Sequence, residues 1–481
     1  MSLNPTKKII VWFRQDLRIT DNPALSLAAD NGSIIPVFIL DDDAPAEAVL
    51  GGASKWWLHH SLLSLSKSLS NKLIIRRGNP LSILSDIAEE FSADTVVWNR
   101  LYEPWQRSRD ENIKTELKKN NINAKSLNGS LLWEPMSVLK KDETPYKVFT
   151  PYYRKGCLTR QAPRFPLTKP AQMDIAEGVE FSNDALLSLE LIPKIEWYKE
   201  IEAQWEPGEE GAANRLQRFI NDAATSYQDA RNLPAVKGTS LLSPHLHFGE
   251  VSPNQAWYAI QGAFENAFDN KDLDVYLSEL GWREFSYYLL FHWPEIQHKN
   301  FNAKFDHFSW RSSVDDLKAW QFGNTGVPII DAGMRELYQT GYMHNRIRMV
   351  VGSFLVKNLL IDWREGERWF WDTLLDADMA SNSSGWQWVA GSGADAAPYF
   401  RVFNPILQGE KFDKEGEYVK QYCPELKKLP KKFIHKPWEA PAEILKACGI
   451  ELGKDYPKPI VDLKESRKRA LDAFAQLKAI S

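Results

Sequence analysis

The chain has 481 residues, 43% hydrophobic and 25% charged, with a formal net charge of −4. This is the composition of a globular protein large enough for two or three domains, and any nucleic-acid surface on it must be a local positive patch. A signal-like start and an apolar run of membrane-span length are both absent from the sequence, and three dispersed cysteines exclude a disulfide framework or a four-thiolate iron–sulfur site. The expectation is a cytoplasmic monomer whose 19 tryptophans fill a large core and leave some for stacking or electron transfer.

Residues 8–13, 33–40, 73–77 and 95–98 are short apolar runs rich in β-branched side chains, separated by amphipathic patterns such as 54–70 and 81–91. Strands alternating with helices predict a parallel, Rossmann-like α/β domain. Arg14-Gln15-Asp16-Leu17-Arg18 follows the first strand in place of a glycine fingerprint, so an ordinary dinucleotide site is not expected there. Regular patterning weakens over 136–205, which reads as a connector laid over the surface. From 206 onward apolar residues recur at helical spacing through 211–227, 274–291, 314–321, 328–339 and 344–361, and a charged stretch at 463–481 reads as a peripheral helix. The expected domains are therefore 1–135 (α/β), 136–205 (connector) and 206–481 (all-α).

Four clusters carry chemistry. Within Tyr227–Ser243, Gly238 with the hydroxyls of Thr239, Ser240 and Ser243 could suit a phosphate diester, although by themselves these residues read more often as a capped helix start. Glu279, Trp282 and Arg283 share one helical face; such a Glu–Arg spacing is usually a surface bridge, but here the helix is strongly apolar. Asn345, Arg348 and Met349 share another face, with Arg348 a natural partner for Asp376, while His344 reads equally well as a packed core histidine. The stretch DADMASNSSGWQWVAGSGADAAPYFRVFNP, 376–405, sets two acids and an amide beside Trp386 and Trp388, a mixture suited to a flat, polar-edged, redox-active ring. Gly391–Ala396 also satisfies a dinucleotide fingerprint, but no strand precedes it and Pro398 would break the helix that must follow.

With WFRQDLRITDNPAL (12–25) and GEKFDKEGEYVKQYCPEL (409–426), these motifs resemble the photolyase/cryptochrome family over nearly the whole chain. GWREFSYYLLFHWP and FWDTLLDAD look most like the class III bacterial photolyases of cyclobutane pyrimidine dimers (CPDs), neighbours of the plant cryptochromes. The resemblance implies an all-α FAD-binding domain, with FAD held by Tyr227, Thr239, Ser240, Leu242, Ser243, Glu279, Arg283, Asn345, Arg348, Asp376, Asp378 and Asn382. It implies electron hopping through Trp386, Trp363 and Trp310, catalytic roles for Glu279 and Asn382, lesion contacts at Trp282, Asn345, Met349 and Trp388, DNA contacts at Arg231, Arg346 and Arg401, and no metal. In such a pocket the Glu279 carboxyl should be desolvated and its pKa raised.

The implied activity is light-driven CPD repair by electron transfer from excited reduced FAD to a dimer flipped out of DNA. A cryptochrome-type blue-light receptor and a 6-4 photolyase are the alternatives. Asn382, where plant cryptochromes carry Asp, favours repair, and Asn345 after His344, where 6-4 enzymes carry a histidine pair, favours CPDs. The implied antenna is 5,10-methenyltetrahydrofolate, with 8-hydroxy-5-deazaflavin as the alternative; Trp105-Gln106 stands where enteric folate-binding members carry Asn-Glu. Tyr276 replaces a tryptophan found near the flavin in some members.

Overall fold

The structure is a computed structural model describing residues 7–396 and 400–479, so Pro398 and the last two residues of the expected terminal helix lie outside the described residues. The chain forms two compact units. Unit 1 comprises the chain up to Glu196 with Trp205–Asn221 and Ser240–Pro294; unit 2 comprises Trp197–Gln204, Asp222–Thr239 and the chain from Glu295 onward.

Unit 1 is built on five strands: β1 (Lys8–Phe13), β2 (Ser33–Asp41), β3 (Ile74–Gly78), β4 (Thr95–Asn99) and β5 (Asn123–Leu127). Their order is β3-β2-β1-β4-β5 and every pairing is parallel. The first four are the apolar runs of the sequence. The fifth, NAKSL, is polar and half-exposed because it pairs on one side only, so it carries no hydrophobic signal. Helices α1 (Pro23–Asn31), α2 (Gly52–Ser68), α3 (Pro80–Phe91) and α4 (Pro104–Lys119) connect the strands. Asn22 and Asn79 cap α1 and α3, each followed by a proline at the first helical position.

Beyond the carboxyl ends of β1 and β4, where the strand order reverses, a buried charge network fills the crevice. Arg14 Nη1 donates to both Asp110 oxygens at 2.9 and 2.8 Å, and Trp98 Nε1 also donates to Asp110 at 3.1 Å. Asp16 accepts from the Arg14 backbone N–H and from Asn99 Nδ2, both at 2.6 Å.

The 136–205 stretch is not simply draped over the surface. Pro151–Cys157 is a π-helical segment with Tyr152, Tyr153 and Cys157 buried. It packs on α5 (Lys271–His292), where Gly281 allows the approach: a Cβ there would lie 2.6 Å from the Tyr153 ring. Aromatic side chains scattered without a period thus find one shared partner, which no local pattern announces.

Unit 2 is helical, and α6 (Pro328–Thr340), α7 (Asn345–Ser353), α8 (Trp363–Thr373) and α9 (Met379–Ala390) shape its centre, with α10 (Leu463–Ala479) further along the chain. The period over 344–361 is not one α-helix, because α7 passes into a π-helical turn at Phe354–Asn358. Helices α8 and α9 touch closely at Gly366, where a Cβ would meet the Trp386 ring at 2.1 Å. Gly391 ends α9 in a left-handed conformation, φ 92°, so the Gly391–Ala396 segment follows a helix instead of a strand. No helix among the described residues is long and apolar enough to cross a membrane.

Candidate cofactor and substrate site

Asp378 caps α9 by accepting from the Ser381 backbone N–H at 2.7 Å, which fixes where the helix starts and what its first turns present. Two residues earlier, the buried Asp376 accepts from Arg348 Nη2 at 2.8 Å through Oδ2. Its other oxygen, Oδ1, is buried without a hydrogen-bond partner. Arg348 Nε also donates to the Met343 carbonyl at 2.7 Å, so its planar fork is held from two sides. Tyr342, its hydroxyl bonded to Thr239, lies with its ring centroid 5.4 Å from the guanidinium carbon. A buried carboxylate with one unused oxygen beside a clamped arginine is a docking point for a ligand donor.

One turn into α9, Asn382 Nδ2 donates to the Glu367 carbonyl of α8 at 3.0 Å, leaving the side-chain carbonyl as the group it can offer elsewhere. The Glu367 side chain accepts from Ser383, and burial pushes its carboxyl up to about 7. Glu367 was invisible to sequence reasoning, since its role depends on two helices meeting.

Trp386 and Trp363 are buried in the core of unit 2 and Trp310 is half-buried. Trp386 packs edge-on against Phe370 at 4.9 Å and Trp320 at 6.1 Å between centroids. Trp363 Nε1 donates to Asn300 Oδ1 at 3.1 Å, and Trp310 lies 4.5 Å from Phe308.

A cavity of about 250 Å³ brings together Arg346, Met349, Trp388 and Arg401, four of the residues expected at a substrate. Lys357, Phe403, Lys411 and Phe412, which the sequence did not single out, also line it. Arg346 donates to Asn232 at 2.5 Å and lies 4.4 Å from the Phe412 ring centroid. Arg231, over the Tyr227 ring at 5.4 Å, lies within electrostatic reach of Arg346. Asn345 is exposed on the first turn of α7. His344 is a capping residue: its Nδ1 accepts from the Arg346 N–H at 3.2 Å, and burial next to Arg346, Arg348 and Arg231 pushes it down to about 4.

In unit 1 the expected roles meet a different geometry. Glu279 is half-buried, and the desolvated carboxyl of α5 is Glu284, which burial pushes up to about 7 although Arg283 and the Leu132 and Trp133 N–H groups hold it. Glu284 lies five helical positions beyond Glu279, so the two side chains leave the helix on different faces. Arg283 is engaged within unit 1, donating to the Ser130 carbonyl at 2.9 Å and to Glu284 at 3.1 Å. Trp282 gives one face to Phe149, 3.8 Å between centroids at 12°. Leu242 is buried, Ser240 is bonded to the buried Tyr276, and Ser243 is exposed at the start of a short helix. Leu241, between Ser240 and Leu242, takes a left-handed φ of 53°, strained backbone of the kind kept where a loop must hold a ligand.

Comparison with known proteins decides the family. Residues 9–171 match the DNA photolyase domain and residues 276–476 the FAD binding domain of DNA photolyase. A deoxyribodipyrimidine photo-lyase of Agrobacterium fabrum is 50% identical over 99% of both chains. The chain belongs to the photolyase/cryptochrome family. Cryptochrome-2 of Arabidopsis thaliana is 40% identical over 98% of this chain and 79% of its own. The crystal structure of a bacterial class III photolyase from Agrobacterium tumefaciens superposes with a TM-score of 0.94 at 48% identity, covering 99% of each chain. The residues present fit the family's FAD domain: the orphaned Asp376 oxygen would be an acceptor for a ring N–H, Arg348 lies beside it as a donor, and Asn382 has a neutral carbonyl to offer.

Proposed function

We propose that this protein is a light-dependent DNA photolyase that splits cyclobutane pyrimidine dimers. The observation that carries this reading is the cavity of unit 2, whose lining pairs Trp388 and Met349 with Arg346, Arg401 and two lysines and includes no carboxylate among the described residues. Flat bases carrying phosphates match that lining, because the indole face stacks on a base and the cations meet the backbone.

When bound, FAD supplies and takes back the electron that, under light, opens the cyclobutane ring. The protein supplies position and electrostatics. Arg348 and Asp376 would hold the ring edge of the cofactor, and the family pattern assigns it Tyr227, Thr239, Ser240, Leu242, Ser243 and Asp378 as well. Asn382, neutral and oriented by the Glu367 carbonyl, tolerates negative charge that an aspartate would oppose. This favours repair over a receptor role. Trp386, Trp363 and Trp310 are the proposed relay that keeps the cofactor reduced. Trp388 and Met349 wall the dimer, Arg231, Arg346 and Arg401 take phosphates, and Asn345 lies near the lesion. Glu279, Trp282 and Arg283 are assigned to lesion and cofactor by the family pattern alone.

The proposed antenna is 5,10-methenyltetrahydrofolate; absorbance of the extracted chromophore separates it from 8-hydroxy-5-deazaflavin. A monomer acting on DNA in the cytoplasm completes the reading. The test is illumination of the reduced protein with oligonucleotides carrying a CPD or a 6-4 lesion. Loss of the CPD alone, and only in light, is the expected result. Loss of neither, from protein still holding FAD, overturns repair in favour of the receptor.

A further inference from the structure

Helix α7 ends in a π-helical turn at Phe354–Asn358. Such turns re-aim side chains and recur at functional positions. This one carries Lys357, which is 5% exposed, donates through Nζ to the Arg401 carbonyl and lies 4.7 Å from the Phe400 ring centroid. Lys357 forms part of the wall of the 250 Å³ cavity. Buried lysines are seldom left without an opposite charge, yet the groups around this one are a carbonyl, a ring and other cations. An anion entering the cavity supplies what is missing.

We propose that Lys357 is a substrate contact, meeting a phosphodiester of the DNA strand whose damaged bases enter the cavity, and that it does so only when protonated. The inference rests on the repair reading and adds a residue and a pH dependence to it. Burial, with Arg401 next to it, pushes the Lys357 ammonium down to about 7. Arg401 on the 400–403 segment acts on it directly, Arg346 on α7 and Lys411 on the helix Pro405–Phe412 line the same cavity, and the lining adds no carboxylate among the described residues. Lys357 is the group in this set that burial brings to the neutral range. Because a bound phosphate favours the protonated amine, binding takes up a proton, and affinity falls as pH rises above about 7 by up to about tenfold per unit.

The experiment measures dark binding of FAD-loaded protein to a CPD-containing duplex by fluorescence anisotropy. It is run from about pH 6 to about pH 9 at fixed salt, with an undamaged duplex as reference. Wild type should lose affinity for the damaged duplex above about pH 7, Lys357→Arg should bind without that slope, and Lys357→Met should bind about tenfold more weakly at low pH, also without a slope. A Met variant that matches wild type at every pH overturns the proposal, as does an Arg variant that keeps the wild-type slope. Should the Met variant lose its FAD absorbance, the Arg variant alone decides. Wild type that never prefers the damaged duplex, at any pH, sinks the repair reading and this inference with it.

Discussion

Two buried aspartates show how differently the same chemistry is used in the two units. Asp110 in unit 1 has both oxygens occupied, by Arg14, Arg109 and Trp98. Asp376 in unit 2 also has an arginine, half-buried, but one of its oxygens has no partner. A satisfied buried network is paid for within the fold and rigidifies it; an unsatisfied one is stable only if something else arrives. We therefore read the crevice of unit 1 as closed by its own side chains and the Asp376 region as open for a ligand.

Asp110→Ala should give the largest effect. It strands the buried Arg14 without its counter-charge and should cost about 3–5 kcal/mol, seen in urea unfolding, while folded protein keeps its FAD. Unchanged stability would mean that this network holds nothing together.

Glu336 comes next. It is buried on α6, accepting from the Tyr418 hydroxyl at 2.6 Å and the His344 N–H at 3.3 Å, and burial raises its carboxyl from the usual 4.5 to about 7. The folded state then binds this proton more tightly than the unfolded state. Its contribution is fully present below about 4.5 and is lost as pH rises towards about 7, a change of about 3 kcal/mol at most. Glu336→Gln should make the fall in stability over that window shallower by this amount. Glu284 and Glu367, pushed the same way, keep part of the slope. Parallel slopes for variant and wild type would show that Glu336 does not hold its proton.

Gly366→Ala probes the contact between helices α8 and α9. Its Cβ would collide with the Trp386 ring, so a loss of about 1–3 kcal/mol is expected in place of the gain of up to about 1 kcal/mol that alanine normally brings to a helix. A rise in melting temperature would contradict the packing. The smallest effect on the fold belongs to Asp376→Asn. The amide keeps an acceptor for Arg348, so stability should fall by only about 1 kcal/mol. FAD affinity should weaken by at least about tenfold, read from retained flavin absorbance. If stability fell as far as for Asp110→Ala with FAD still bound, the distinction between closed and open networks would fail.

Much of this was legible along the chain. Strands β1 to β4 and the helices near 274–291, 314–321 and 328–339 follow from apolar period alone, because burial of one face is a local requirement repeated at fixed spacing. Asp376 with Arg348 was also readable, since acids beside tryptophans in an apolar setting demand partners. The clustering of Arg346, Met349, Trp388 and Arg401 follows from motifs that the family keeps in order.

Contacts between distant segments decided the rest. Strand β5 has no period because only one of its edges is paired. Helix α5 belongs with the α/β unit because Phe149 and Tyr153 pack on it, and nothing in its own sequence says so. Glu284 is fully buried while Glu279, on the same helix, is half-buried, since burial depends on which turn of a helix faces the neighbouring segment. Glu367 orients Asn382 across two helices, and Lys357 reaches the cavity from a π-helical turn that the helical period of 344–361 conceals. The sequence determined which groups the protein possesses and the helices and strands that carry them; the tertiary structure decided which groups were left without a partner, because a hydrogen bond is satisfied in space and not along the chain.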